Sequence, residues 1–462
     1  MKFTISKILL VAAVVLTTAG CEKFLERPPE GQLKEEEAFK DEAGLLNFLN
    51  GEYTILGDNE FYGGRIQSIS DALADEVDGS RFQGDYSEIY KRQNSIFGGT
   101  RDNLYRKGYR IIHVANTVLG KMDLVSDANK DNVRGQALFF RAIAHFELVR
   151  LFAQPWGYSG DNGHNGIPLR TEVVIGSVER ATVKQVYDQV IADLKEAENL
   201  LPPSFPKNYK ATKWAAKALL AKVYFQMNDN ANAFAYATDV VNNAGLTLDN
   251  NYNNRFSTGL STEGILVVAN ETNHFMPGGE LRGNYRSDQG GIPFMNYTEA
   301  FYNYATTDPA DVRKAWYSNT LHAGYYVQRK YNKDFFDLPI MHLTEIKLIL
   351  AESGAKLGGA SLATAITNIN QILTRAYGGT SHNLPANAVA DLVISTSRKE
   401  RELEMVAEGN RYHEIKRIGS GSGVNVDRRN SPWNCNGFIL QFPKAEQDAF
   451  SSFVLNPEGG CF

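Results

Sequence analysis

The side chains best suited to chemistry in this 462-residue chain are aromatic rings and arginines that crowd together in polar stretches. The group to consider consists of Tyr62, Arg65, Arg81, Phe82, Tyr86, Tyr285, Trp316 and Tyr317. Tyrosine and tryptophan suit contact surfaces that are partly apolar and partly wet, because each ring carries a polar tip. Each of these rings either offers such a surface or fills a gap in the scaffold, and the sequence leaves both readings open.

Metal-protease and nucleophile motifs do not appear in the sequence. There is no HExxH motif, and the pairs His342 with Glu345 and His413 with Glu414 lack a second ligand at metal spacing. The glycine-rich run 419–423 has neither the GxSxG order nor the lysine of a phosphate-binding loop. We therefore predict no catalytic residue and no cofactor.

One segment begins like a calcium-binding loop. Residues 127–131 supply acidic and amide side chains at alternating positions, but Asn132 stands where the turn glycine is needed and Leu138 where the closing glutamate is needed. No metal is therefore predicted. Pairs of carboxylates able to act as acid and base occur in any acidic chain of this size, so an all-helical glycoside hydrolase is the enzyme alternative.

The charge balance argues against nucleic acid as a partner. The chain has 48 basic and 53 acidic residues, a formal net charge of −5, and no run of lysines or arginines. Phosphate binding depends on clustered positive charge, so DNA and RNA are excluded as predicted ligands.

The first twenty residues have the pattern of a secretory signal. Ile8 to Leu16 is an unbroken apolar run that would span about 14 Å as a helix, too short for a bilayer core of about 30 Å. Small residues precede Cys21 as at a bacterial lipoprotein processing site, although Thr18 stands where that site usually has leucine. We predict a signal peptide over 1–20, a lipid on Cys21 and a single domain over 21–462; the alternative is an ordinary cleaved signal.

Two cysteines then remain near the C-terminus. Exported chains can keep disulfides, and Cys435 and Cys461 are an even pair. They either form a disulfide or both stay free.

Helical hairpins must position these side chains. Apolar residues recur at spacings of three and four over 133–153, 182–201, 211–244 and 343–376. The unit 211–244 has the 34-residue period of a tetratricopeptide repeat, with small residues at the crossing points. Such hairpins bury their apolar faces only by stacking. The predicted fold is mostly α: a tetratricopeptide-like hairpin scaffold with large irregular loops and a few short β-strands.

Long polar stretches separate the helical units. They cover residues 57–103, 154–170, 249–340 and 419–437, and short β-like runs lie within or beside them at 265–269, 325–330 and 438–442. Loops of this length in a compact protein are usually functional, so the ligand site is predicted there.

A series of motifs, in order along the chain, resembles the SusD/RagB family of nutrient-binding surface lipoproteins. The motifs lie at residues 24–25, 135–142, 148–152, 166–169, 192–194, 216–224, 401–404, 408–417, 442–443 and 456–457. The chain departs from the family pattern at His342, at residues 412–414, and at Glu22, a thin version of the acidic stretch that directs such lipoproteins outward.

The resemblance implies carbohydrate capture in polysaccharide utilisation. The protein would be anchored to the outer membrane, face outward and deliver oligosaccharides to a SusC-like TonB-dependent transporter. The eight residues named at the outset would then contact the ligand, with rings stacking on sugar faces and Arg65 and Arg81 bonding hydroxyls. Peptide capture by a RagB-like protein is the alternative, since Arg65, Arg81 and Arg286 would also serve peptides. The charged residues of the C-terminal motif are expected to pair inside the scaffold.

Overall fold

The computed structural model describes residues 39–96, 98–176, 178–271 and 276–461. The predicted signal peptide over 1–20 and the predicted lipid on Cys21 lie outside the described residues. The chain divides into two units, 1–48 and 49–462, and the first helix, α1, runs from Glu42 to Leu56. In the first unit, the rings of Phe39 and Phe48 pack with their centroids 4.2 Å apart. The prediction of one domain over 21–462 stays a prediction.

Helices dominate the second unit. After α1 they are α2 (Arg65–Leu73), α3 (Gly84–Tyr90), α4 (Gly99–Leu119), α5 (Asp127–Phe152), α6 (Val183–Leu200), α7 (Lys213–Gln226), α8 (Asn230–Asn243), α9 (Gly279–Tyr285), α10 (Glu299–Thr306), α11 (Leu343–Leu357), α12 (Gly359–Ala376), α13 (Ala390–Glu404), α14 (Asn410–Ser422) and α15 (Lys444–Ala449). The mostly α fold is thus confirmed, and with it the four helical units expected from apolar spacing.

Local capping explains where the hairpin helices begin. Thr182 and Gln185 form a capping box at the start of α6, each side chain bonding the other residue's backbone N–H. The side chains of Thr212 and Asp229 accept backbone N–H groups at the starts of α7 and α8. Between α11 and α12, Gly358 has a φ of 73°, a left-handed value that favours glycine. The turns that join the helices are therefore encoded locally.

Six short strands form three antiparallel pairs in the described part of the chain. They are β1 (Asn165–Pro168) with β2 (Arg180–Thr182), β3 (Gly264–Val268) with β6 (Leu338–His342), and β4 (Tyr317–Ser318) with β5 (Val327–Gln328). In the third pair, Tyr317 lies opposite Gln328. The β-like runs at 265–269 and 325–330 therefore contain strands.

Two sequence expectations about secondary structure are wrong. The run 438–442 forms no strand: it follows a 3₁₀ turn, Asn436–Phe438, and the N–H of Leu440 donates to the carbonyl of Leu151. The stretches expected as loops hold four short helices, α2, α3, α9 and α10. These helices are seven to nine residues long, too short to show a clear apolar repeat in the sequence.

The charged residues of the C-terminal motif pair inside the scaffold, as expected. Arg417 of α14 is fully buried and donates to Glu352 at 2.9 Å and to Glu414 at 2.7 Å. Glu402 and Arg411 belong to a neighbouring group, in which Arg411 donates to Asp75 at 2.8 Å. These ion pairs hold α13 and α14 against α11 and the loop after α2.

Near the C-terminus, Cys435 and Cys461 are joined by a disulfide bond. No helix among the described residues is long and apolar enough to cross a bilayer.

Candidate functional site

Three loop segments meet in the second unit and form the frame of a candidate site. Val77 pairs with Tyr297, and Tyr297 pairs with Tyr326, each through an antiparallel bridge. The N–H of Tyr297 donates to the carbonyl of Tyr326 at 2.7 Å. The loop after α2, the segment before α10 and the β4–β5 hairpin thus lie side by side, although they are far apart in sequence.

Phe82 lies at the centre of a group of rings on this frame. Its ring centroid is 4.8 Å from that of Phe294, 5.5 Å from that of Tyr90 and 6.0 Å from that of Tyr86. Phe82 and Tyr86 are buried, whereas Phe294 and Tyr90 are half-buried. The buried rings therefore support two others that reach the surface.

Arg81 connects this group to a second pair of rings. Its Nη1 donates to the carbonyls of Ile292 at 3.2 Å and Pro293 at 3.0 Å, and its guanidinium lies 5.5 Å from the centre of the Tyr325 ring. Next to Tyr325, the ring of Tyr326 packs against that of Tyr302 with centroids 4.8 Å apart. We call the half-buried side chains Tyr90, Phe294, Tyr302, Tyr325 and Tyr326, together with Arg81, the aromatic strip.

The chemistry of the aromatic strip is that of a binding surface. Half-buried rings present one apolar face, and their hydroxyl groups exchange hydrogen bonds at the edge. A hydrogen bond to the carboxylate of Glu299 raises the pKa of Tyr326, so this hydroxyl stays a donor across the physiological range. The strip therefore combines half-buried aromatic rings with phenolic hydroxyls and one guanidinium.

Among the predicted ligand residues, Arg81, Phe82 and Tyr86 belong to this region. Arg81 is part of the strip itself, while Phe82 and Tyr86 lie beneath it. Arg65 is close by: its Nη1 donates to the Tyr86 hydroxyl at 3.2 Å and is 3.1 Å from a carboxylate oxygen of Glu280. Arg65 thus holds Tyr86 in place.

The other four predicted rings are buried, so the second of the two alternatives, a ring that fills a gap in the scaffold, applies to them. The Tyr62 hydroxyl donates to Glu147, and the Tyr285 hydroxyl donates to Asp71 at 2.7 Å. Trp316 and Tyr317 are each 6% exposed. Burial is the main cause that raises the pKa of Asp71 to about 7. The hydroxyls of Tyr62 and Tyr285 thus find buried carboxylate partners, whereas the Tyr317 hydroxyl is buried without a hydrogen-bond partner among the described residues.

Trp316 shows how such a ring is fixed. The ring of Tyr252 meets it edge to face with centroids 5.0 Å apart, and the Lys330 ammonium lies 4.6 Å from the centre of the Trp316 ring. Tyr317 packs against Tyr297 and Phe301, each with centroids 6.1 Å away. Both side chains therefore support the frame from below.

Five members of the strip are not predicted from the sequence: Tyr90, Phe294, Tyr302, Tyr325 and Tyr326. The available signal was the Tyr325-Tyr326 pair, which stands in the run 325–330 that the sequence analysis read only as β-like. Exposure of a ring depends on contacts between distant segments, so sequence spacing alone could not separate surface rings from buried ones.

Among the residues that the structure describes, no three His, Cys, Asp or Glu side chains are grouped so as to hold a metal ion. The candidate site is therefore described by its rings and hydrogen-bonding groups.

Two family models and a curated relative match this chain over most of its length. A family model described as "Starch-binding associating with outer membrane" matches residues 23–225, and the SusD family model matches residues 208–453. SusD-like protein P2 of Formosa agariphila is 25% identical in an alignment that covers 96% of this chain and 98% of that protein.

Solved structures share the fold. A SusD superfamily protein of Bacteroides thetaiotaomicron has a TM-score of 0.79 at 24% identity, covering 90% of this chain and 99% of that chain. A SusD-like carbohydrate binding protein of Bacteroides vulgatus has a TM-score of 0.69 at 21% identity, covering 82% and 83% respectively. With a family model matched over more than half of its length, the chain belongs to the SusD family.

Proposed function

We propose that this protein captures oligosaccharides at the bacterial surface and that the aromatic strip is the surface that holds them. The observation that carries the proposal is the set of half-buried rings on the three adjoining loop segments, with the Arg81 guanidinium beside the Tyr325 ring. Sugar rings have apolar C–H faces that pack on aromatic rings, and their hydroxyls need a few placed donors and acceptors. The family description and the name of the Bacteroides vulgatus relative support a carbohydrate ligand.

We place the protein at the outer membrane, because the description of the family model that matches residues 23–225 refers to that membrane. A lipid on Cys21 would anchor the chain there, facing outward, and a SusC-like TonB-dependent transporter would receive the ligand. Anchoring raises the effective concentration of the site near its partner, so each binding event need not be tight. In this proposal the protein binds and hands on its ligand without catalysis.

Peptide capture has less support from the geometry. Two of the three arginines that would serve a peptide are already paired with carboxylates. Arg65 bonds Glu60, and the Arg286 guanidinium is 2.7 Å from an Asp334 oxygen. Arg81 remains, and its place among rings favours a sugar.

Ring removal tests the proposal. We expect Tyr325→Ala and Tyr302→Ala each to weaken binding of a captured glycan by about fivefold, because a ring contact contributes roughly 1 kcal/mol. Maltoheptaose is the first probe, followed by a panel of neutral oligosaccharides, with affinity electrophoresis and calorimetry as readouts. Tyr158→Ala is the matched control, since Tyr158 is an exposed tyrosine outside the strip.

The outcomes separate clearly. If both strip variants keep wild-type affinity for a glycan that the wild type binds, the strip is not the site. If Tyr158→Ala lost as much glycan affinity as the strip variants, the strip would likewise not be identified as the site. Tight binding of peptides with none of these glycans bound would favour the RagB-like alternative.

A further inference from the structure

A second concave surface lies among the helical hairpins and belongs to different elements from the strip. It is a groove of about 660 Å³ between the end of α8, the loop that follows it, and helices α11 and α12. Leu343 and Lys347 of α11 lie at its floor, one helical turn apart, and Thr364, Thr367 and Gln371 of α12 form one wall. The opposite wall is formed by residues 241–248.

Lys347 is the unusual residue of this groove. Its side chain is almost fully buried, with the residue 6% exposed, yet its ammonium donates only to two neutral oxygens. These are Oδ1 of Asn368 at 2.8 Å and Oε1 of Gln371 at 2.6 Å. The amide nitrogen of Asn368 donates to the carbonyl of Thr364, which keeps Oδ1 turned towards Lys347. An ammonium has three N–H donors, so one more is available to a ligand.

No carboxylate compensates this charge. Among the described residues that line the groove, Lys347 alone is charged, and the described carboxylates form no ion pair with it. Arg375, another cation, acts on it electrostatically. Burial, reinforced by Arg375, lowers the pKa of Lys347 to about 8. A buried cation of this kind is costly unless an anion pairs with it.

The other residues that line the groove indicate the chemistry of the rest of the ligand. Hydroxyl and amide side chains of Asn242, Thr247, Thr364, Thr367 and Gln371 face the groove, beside aliphatic Leu246 and Leu248. The backbone of the two helices is hydrogen-bonded within each helix, so an extended peptide would find no edge to pair with there. Side-chain hydroxyls and amides suit a ring that carries several hydroxyl groups.

We propose that this groove is a second binding site, that it takes a sugar acid, and that Lys347 bonds the carboxylate of a uronate unit. The site shares no residue with the aromatic strip, so it stands or falls independently of the proposed function. Its occupant would bring the negative charge that the groove lacks.

Calorimetry on the mature chain at low ionic strength tests this with trigalacturonate and, as the neutral match, galactotriose. The wild type should bind trigalacturonate at least tenfold more tightly. Lys347→Gln should lose about 10- to 100-fold in affinity, the effect of removing a hydrogen bond to a charged group. Lys195→Gln, an exposed lysine on α6, is the matched control and should bind as the wild type does.

A second variant tests the groove independently, in case Lys347→Gln does not fold. Thr367 is exposed on α12, so Thr367→Trp should fill the groove without disturbing the core and should also abolish trigalacturonate binding. Tyr325→Ala in the strip should leave that binding intact. Retained affinity in Lys347→Gln or Thr367→Trp, equal affinity for both sugars, absence of saturable binding, or loss in Tyr325→Ala would each overturn the proposal.

Discussion

Glu404 shows how single residues hold the functional loops to the scaffold. Its carboxylate lies 3.1 Å from Arg255, 3.1 Å from Arg313 and 2.9 Å from Arg375, and it accepts the Tyr252 hydroxyl at 2.6 Å. These cations keep the pKa of Glu404 well below its usual range against the opposing effect of burial. A buried charge persists only when it is paired, so the Glu404 side chain, at the end of the 401–404 motif, is engaged within the scaffold.

Glu52 is the opposite case, and it gives a testable pH dependence. The residue is 1% exposed, and neither carboxylate oxygen accepts a hydrogen bond within the described residues. Burial raises the pKa of Glu52 to about 8, even though Arg110 and Lys107 act against this. Between the unfolded and folded pKa values the folded state alone binds the proton, so stability falls as pH rises.

We expect Glu52 to lower the free energy of unfolding by about 3 kcal/mol between pH 5.5 and pH 8. Glu52→Gln does not titrate, so its stability relative to the wild type should rise over that interval. Urea unfolding at the two pH values measures the difference, with the exposed Asp123→Asn as control. Parallel pH profiles for the wild type and Glu52→Gln would contradict the prediction.

At the scale of elements, the sequence determines the helical hairpins far better than the site. Spacing of Ala218, Ala221 and Phe225 predicts one face of α7, and the cap at Asp229 is readable because both signals lie within a few residues. The strip brings Arg81 to Tyr325 across more than two hundred residues. No local pattern records that contact, so the sequence singles out Arg81 but not the rings around it.

The hairpin crossing at Gly354 permits a direct test of element packing. A Cβ added there would lie 2.7 Å from the Phe234 ring and 2.8 Å from the Ser361 carbonyl oxygen. We expect Gly354→Ala to lower the free energy of unfolding by about 1 to 3 kcal/mol, because overpacking outweighs the gain in helix propensity. Denaturant unfolding measures it.

Gly51 of α1 is the matched control for this substitution. A Cβ there would meet nothing within 4 Å, so Gly51→Ala should stabilise the protein by up to about 1 kcal/mol through helix propensity alone. If both substitutions raised the free energy of unfolding equally, the packing of α8, α11 and α12 around Gly354 would have room for a methyl group, and the prediction would be wrong.

At the scale of the second unit, the C-terminal segment ties distant elements together. The Asn456 side chain donates to the carbonyls of Phe152 and Leu440, and the N–H of Asn94 donates to the carbonyl of Gly459 at 3.3 Å. The disulfide between Cys435 and Cys461 closes a loop with a sequence separation of 26. The last residues therefore secure the end of α5 and the segment after α3.

Removing this cross-link should weaken the unit without changing its fold. The double substitution Cys435→Ser with Cys461→Ser should lower the free energy of unfolding by about 3 kcal/mol, since the unfolded chain regains loop entropy. Urea unfolding of the oxidised wild type and the variant measures the loss, and the reduced wild type should match the variant. An unchanged unfolding midpoint in the variant would rule out this role of the disulfide.

Lys330 follows strand β5, which comes directly after Tyr325 and Tyr326, and its ammonium donates to the carbonyls of Glu404 and Val406, each at 3.0 Å. Through Lys330, the segment that bears these two rings is therefore fixed to the C-terminal end of α13. The entropy of ordering it is lost when the chain folds rather than when a sugar arrives. Under the proposed function, a glycan would therefore meet a surface already shaped for it, and weak contacts would suffice for binding.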